Sequence, residues 1–345
     1  METWKRTVYI SLVCVFCTAF GVSQLAPILP LYFHDLGVQT PEAMSLWSGL
    51  ATGATYIIVC LAAPFWGRVA DKKGRKITLI RSSFGMALCN ILIAFQTTPE
   101  GVVLTRLVQG LVSGFYSASI TLIASESPIE RTGWALGLLA SANLAGSLIG
   151  PLLGGYIADT VGIRNDFIIV GTLMGLAGVL ATIFIHENYV PQPNPEKLSI
   201  RKLKEQIPEF NSIVALCVAS FIYAICIMSL QPVISVYIKG IVPSNTENLA
   251  FIAGAVFSAM GIAQLMSSSP LGKLVDKIGP RKVLVVSLIY VGILNIPQAY
   301  VSDVYQLAII RFLQGFGLGG MLPALNTYLS SKTPREFTGQ VFSYN

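Results

Sequence analysis

From Val8 to Phe33 the chain carries no charged side chain, and nine further long apolar runs follow. Hydrocarbon offers no water to backbone N–H and C=O groups, so such runs must be helices or strands of a closed barrel. They are continuous rather than alternating, which excludes membrane-spanning strands. About 20 helical residues cross a bilayer. Spans are predicted at about 8–33, 45–66, 77–95, 102–125, 134–157, 165–186, 211–238, 249–270, 283–301 and 304–330. The first is too long for a cleaved signal peptide and contains Pro27 and Pro30. Composition agrees: 12% of residues are charged, about half the share in soluble domains. The predicted class is an all-α polytopic membrane protein.

A polar stretch between spans 2 and 3, Gly67-Arg68-Val69-Ala70-Asp71-Lys72-Lys73-Gly74-Arg75-Lys76, recurs 205 residues later as Gly272 to Lys282. Gly67, Asp71 and Gly74 map onto Gly272, Asp276 and Gly279. The same offset carries Pro27 to Pro232, Tyr32 to Tyr237, Gly49 to Gly254, Arg106 to Arg311, Gln109 to Gln314 and Gly110 to Gly315. A register kept over so many elements marks an internal duplication. Three regions follow: a six-span bundle over 1–186, a linker over 187–209, and a four-span bundle with the start of a fifth over 210–345. Counterparts of spans 5 and 6 are absent, so the chain reads as a truncated product or part of a longer one.

Charge gives orientation. With the amino terminus inside, 19 of the 23 Lys and Arg fall in cytoplasmic segments, against Arg164 and Lys239 outside. That bias places the amino terminus in the cytoplasm and explains the basic pI without nucleic acid. In the linker, Pro191, Pro193 and Pro195 end span 6. Beyond them Ile200, Leu203 and Ile207 suit either a short helix on the inner membrane surface or a solvated connection. The six cysteines lie in apolar runs and read as packing residues.

These stretches resemble the major facilitator superfamily. Gly-x-x-x-Asp-x-x-Gly-Arg-Lys between spans 2 and 3 is that family's loop motif, and Arg106-Leu107-Val108-Gln109-Gly110 matches its Arg-x-x-Gln-Gly motif. In span 5, Gly146-Ser147-Leu148-Ile149-Gly150-Pro151-Leu152-Leu153-Gly154-Gly155 resembles the antiporter motif, while Pro27 to Tyr32 is similar to a signature of bacterial twelve-span drug:proton antiporters. The resemblance implies a two-bundle fold with inverted repeats, ten of twelve spans being present. It also implies export of small amphipathic compounds by proton antiport with alternating access.

Residue roles follow from the resemblance and from chemistry together. Gly137, Gly146, Gly150 and Gly154 would form a smooth helix face, and Pro151 would bend the span. Arg106, inside a span, calls for a cavity or a partner unless it snorkels to the outer surface. No acid lies in a span centre, so Asp35 is paired with Arg106 as the proton-coupling candidate. His34 reads as interfacial, and His186 beside Glu187 lacks metal-site spacing. In the family, Asp71, Arg75 and the match Glu126 form a cytoplasmic latch on span 11, with Gly67 allowing close helix approach. Asp276 is the second copy's aspartate, but there Pro280 intrudes and Ser331 replaces Glu126. Substrate contacts are expected near the midplane from Gln24, Tyr116, Asn143, Tyr223, Gln231, Gln264 and Asn326.

The expected partners are a small-molecule substrate, protons and the lipid bilayer, with no nucleic acid, cofactor or metal, in a monomer of the cell membrane. The chain is not expected to be an enzyme. No nucleotide-binding Gly-x-x-x-x-Gly-Lys loop and no His-Glu-x-x-His occurs. Alternatives are an exporter of a sugar or other metabolite on the same fold, and an inactive fragment.

Overall fold

The computed structural model describes residues 3–187, 207, 209–243 and 246–333. The side chains of Thr3, Asp71, Ile129, Glu130, Tyr223, Cys226, Ser229 and Leu322 lie outside that description. Among the described residues there are twelve α-helices and no strand. They are α1 (Thr3–Ser23), α2 (Leu25–Asp35), α3 (Pro41–Lys73), α4 (Arg75–Ala94), α5 (Pro99–Val112), α6 (Phe115–Glu126), α7 (Ile129–Val161) and α8 (Ile163–Phe184). After the linker come α9 (Phe210–Ile241), α10 (Leu249–Ile278), α11 (Pro280–Gln298) and α12 (Val304–Lys332).

Each of the ten predicted spans is helical, and two of them are broken. Span 1 divides at Gln24 into α1 and α2. Pro27 has no N–H for the Ser23 carbonyl, so the ladder lapses there. Span 4 divides at Ser113, which is extended, and Gly114, at φ +114°. This break frees two carbonyls, and both find donors. Trp66 Nε1 donates to Leu111 O at 2.7 Å, and Arg81 donates to Leu111 O and Ser113 O at 3.1 and 2.9 Å. The Arg81 guanidinium also lies over the Trp66 ring, 3.5 Å from its centroid.

Helix starts are legible in local chemistry. Thr40-Pro41-Glu42 and Thr98-Pro99-Glu100 open α3 and α5 in the same way. Each threonine hydroxyl accepts a backbone N–H three residues on, proline needs no donor at the first position, and glutamate complements the helix dipole. The turns joining α3 to α4 and α10 to α11 are single glycines, Gly74 and Gly279, both at φ +91°. A side chain there would be strained, which is why the duplicated loop keeps that glycine.

Packing pairs α1 with α7, α4 with α8, α3 with α5, and α11 with α12. Inside the first bundle, Val15, Leu79, Leu122, Leu139 and Ala181 form a core toward the amino-terminal end, and Ile28, Tyr32, Phe33, Ile93 and Phe167 form one at the other end. Outside, large apolar side chains stay uncovered, with Leu61 at 71% and Ile296 at 65% exposure. Water would not tolerate so broad an apolar coat, whereas lipid requires it. Nine stretches among the described residues are long and apolar enough to cross a membrane, and α9, at 32 residues, is longer still.

Two compact units emerge. The first holds α1–α8 together with Pro232–Ala255, and the second holds the rest of α9 and α10 with α11 and α12. The predicted linker helix lies largely outside the described residues.

Candidate functional site

The duplication is most visible as a buried polar layer on spans 3 and 4 and their repeats. In the first unit Asn90, Arg106 and Gln109 are all at most 5% exposed. Arg106 Nη1 donates to Gln109 Oε1 at 2.6 Å, while Thr55 Oγ1 donates to the Arg106 carbonyl at 3.0 Å. The Arg106 Nε has no partner. At the 205-residue offset stand Asn295, Arg311 and Gln314. Here Gln314 Nε2 donates to Asn295 Oδ1 at 3.1 Å, and Arg311, 4% exposed, has among the described residues the Met260 sulfur, at 3.4 Å from Nη1. Its Nε and Nη2 are unpartnered. Burial settles the choice left open by the sequence. Neither arginine snorkels, and both are held in the interior.

The span-3/span-4 contact in this layer repeats with its sizes exchanged. A Cβ on Gly85 would lie 2.6 Å from the Val112 Cβ, and one on Gly317 would lie 2.6 Å from the Tyr290 ring. The small partner is on span 3 in one unit and on span 4 in the other. Gly110 and Gly315 allow equally close approach to α3 and α10, against the Thr55 and Met260 backbone respectively.

Asp35 and Arg106 do not meet. Asp35 ends α2 with a side chain 58% exposed, 3.8 Å from His34 Nδ1, while Arg106 is bonded to Gln109.

The antiporter motif is a two-sided seam on α7. A Cβ on Gly146 would lie 2.5 Å from Phe16 O, one on Gly150 2.6 Å from Phe20 O, and one on Gly154 2.6 Å from the Gln24 Cβ. Gly155 faces the other way, where a Cβ would lie 2.6 Å from the Ala250 carbonyl carbon. Gly254 returns the contact against the Pro151 carbonyl. Gly137 is a correction: nothing stands within 4 Å of a Cβ there, so it is not part of the seam. The α7 helix runs through Pro151 without interruption.

Next to this seam a carboxylate that the sequence reading passed over closes the contact. Asp159 Oδ1 accepts the Ala250 N–H at 3.1 Å, and Oδ2 accepts the Phe251 N–H at 2.7 Å. It therefore caps the free donors at the start of α10. Tyr156 and Phe251 meet edge to face beside it, 6.3 Å between centroids.

A similar clamp lies at the opposite end of the bundle. Glu187, just past α8, accepts the Arg75 and Lys76 N–H groups at the start of α4, both at 2.8 Å. The carboxylate seated on Arg75's backbone is thus Glu187. Glu126 ends α6 and is half-buried, and Asp276 is exposed on α10. The Asp71 side chain lies outside the described residues. Gly67 does not sit in a tight helix contact, since a Cβ there would meet nothing within 4 Å. Instead it lines a cavity of about 340 Å³ with Trp66, Ala70, Arg75, Arg81 and Ser117.

The expected substrate residues divide between the units. Gln24, Tyr116 and Asn143 are in the first, and Gln231, Gln264 and Asn326 in the second. Gln24 is fully buried against Gly154 with both amide atoms unpartnered. Tyr116 packs on the core near the amino-terminal end. Asn326 is exposed, and Asn143, Gln231 and Gln264 are half-buried. The Tyr223 side chain lies outside the described residues. Among the described residues no group of three His, Cys, Asp or Glu could hold a metal.

Lipid-coated helices around buried arginines and amides define a multi-pass membrane protein with its polar chemistry in the interior. The chain belongs to the Major Facilitator Superfamily, whose sequence profile matches residues 11–241 and 216–345. It is 38% identical over 342 residues to a "Multidrug resistance protein MdtG" of Salmonella schwarzengrund (strain CVM19633), covering 99% of this chain and 84% of that one. A protein of the same name from Salmonella paratyphi A is 37% identical over the same span. Among solved structures, a mutant of the nucleoside transporter NupG aligns with a TM-score of 0.77 at 12% identity, covering 99% of this chain and 86% of that one. A bacterial homolog of the human lysosomal transporter Spinster, inward-facing and occupied, aligns at 0.74 and 15%, covering 99% and 78%. At such identities the structural likeness speaks for the fold alone.

Proposed function

We propose that this chain is a secondary exporter of small amphipathic compounds, driven by proton entry and working by alternating access. The observation that carries the reading is the two-sided glycine seam on α7. Gly146 and Gly150 lie on α1 and Gly154 on Gln24 at its end, while Gly155 and Asp159 hold the start of α10. A seam of backbone contacts and two hydrogen bonds is strong enough to hold one state and weak enough to open. Likeness over almost the whole chain to proteins named for multidrug resistance supports the substrate class.

In this reading the amino terminus is cytoplasmic, the working unit is a monomer in the cell membrane, and no cofactor takes part. Arg106 influences coupling from within the first bundle, with Asp35 at its outer mouth. The segment containing Gly67, Asp71 and Arg75, with Glu126 and the second-copy Asp276, biases the conformational equilibrium. Substrate passes along Gln24, Tyr116, Asn143, Tyr223, Gln231, Gln264 and Asn326, whose amides and rings accept varied shapes. Ethidium uptake into energised inverted vesicles, measured with and without a protonophore, tests this. Uptake abolished by the protonophore is expected, and equal uptake under both conditions would overturn proton antiport.

A further inference from the structure

Resting on the antiport reading, we infer that Asp166 is the residue that takes up and releases the proton in this chain. Its side chain is 0% exposed, and among the described residues neither carboxyl oxygen has a hydrogen-bond partner. It occupies the first turn of α8 without capping it: its own N–H goes to Gly162 O at 3.0 Å, and its oxygens take none of the free donors there. Instead it shares the buried face of α8 with Val170, Met174, Ala177 and Ala181, which packs against α1 and α4.

The charges around it leave it alone. From Ser82 to Ala94 on α4 and from Thr7 to Ser23 on α1 there is no charged residue. On α7 the nearest acid, Asp159, is engaged by Ala250 and Phe251. On α2, His34 and Asp35 face one another, and Tyr32 donates to the Ile93 and Gln96 carbonyls. Arg164, on α8 itself, is exposed.

A buried ionised carboxylate without donor or cation is strongly disfavoured, so the site as folded accommodates the neutral acid. The two residues before it, Arg164 and Asn165, are exposed, so a small displacement of this turn would bring water to the carboxyl. On that exposure the O–H bond breaks, its electron pair stays on the Asp166 oxygen, and the proton passes to water. Reburial returns the group to its neutral form with one proton drawn from water. A cycle that exposes it to opposite sides in turn moves one proton across.

The test uses the full chain in proteoliposomes with ethidium as probe. Two rates are measured, accumulation driven by an imposed pH difference and counterflow without one. Asp166→Asn is expected to lower driven accumulation by more than about tenfold while counterflow stays within about twofold. Asp166→Glu is expected to restore driven accumulation with a displaced pH profile. Driven accumulation unchanged in Asp166→Asn overturns the assignment to this residue alone. Parallel loss of both rates overturns it too, as a merely structural effect. A wild-type chain indifferent to the pH difference overturns antiport itself, and the role of Asp166 with it.

Discussion

Asp159 receives the Phe251 N–H at 2.7 Å, so the last turn of α7 supplies an acceptor to the free donors at the start of α10. The residue before α10, Asn248, is at φ +63°. The donors at this helix start are therefore met from another span. Asp159→Ala is expected to cost about 1–2 kcal/mol at this contact. In a Phe251→Cys background, it should also raise the alkylation rate of the new thiol several-fold. An unchanged rate would show that the clamp does not shield this helix start.

The α7 seam predicts a sharp contrast among its glycines. Gly150→Ala would press a methyl onto Phe20 O and Ser23, at a cost of about 1–3 kcal/mol. Gly137→Ala and Gly67→Ala meet open space, so each should be neutral or stabilising by up to about 1 kcal/mol, because alanine is the better helix former. Melting temperatures of the purified variants in detergent decide this. Equal destabilisation at all three positions would refute the seam.

These glycines also show how far the sequence could be read. Spans were legible because an apolar run in lipid has few alternatives, and the Arg106 pair was legible because a charge inside such a run is conspicuous. Spacing placed Gly146, Gly150 and Gly154 on one face, but it included Gly137, which nine residues at about 100° each turn to the opposite side of α7 from Gly146. The breaks at Gln24 and Gly114 went unseen because each half remains apolar. Asp159, Asp166 and Glu187 all stand at span ends, where acids are commonplace. What separates them is the partner that each meets, and that is decided by packing between helices far apart in sequence.

Glu187 ties the end of α8 to the start of α4 through two backbone N–H groups. Removing it leaves those donors to water and deprives the helix dipole of its counter-charge. Glu187→Ala should therefore lower stability by about 1 kcal/mol, whereas Glu187→Gln, which keeps acceptor capacity on one atom only, should lose less. Thermal unfolding followed by intrinsic fluorescence would rank the three chains. The order wild type, Gln, Ala is expected.

The exchanged pair on spans 3 and 4 can be tested by a double-mutant cycle. Gly317→Val alone drives a branched side chain into the Tyr290 ring and should cost about 1–3 kcal/mol. Adding Tyr290→Gly removes the obstacle along with the Tyr290 hydroxyl bond to Leu313 O, 3.1 Å long. The two changes should couple favourably by about 0.5–3 kcal/mol. Simple additivity would mean that the contact is loose.

That same pair bears on the history of the molecule. A duplicated gene can exchange segments between its copies as long as either copy's helix fits beside either neighbour. Here a hybrid joining span 3 of the second copy to span 4 of the first would set the Tyr290 ring against Val112, and the reciprocal hybrid would leave Gly85 facing Gly317 across a void. This one contact thus makes an exchange of these spans between the halves sterically costly. Recombination between them is penalised by packing alone, and each half is left free to specialise.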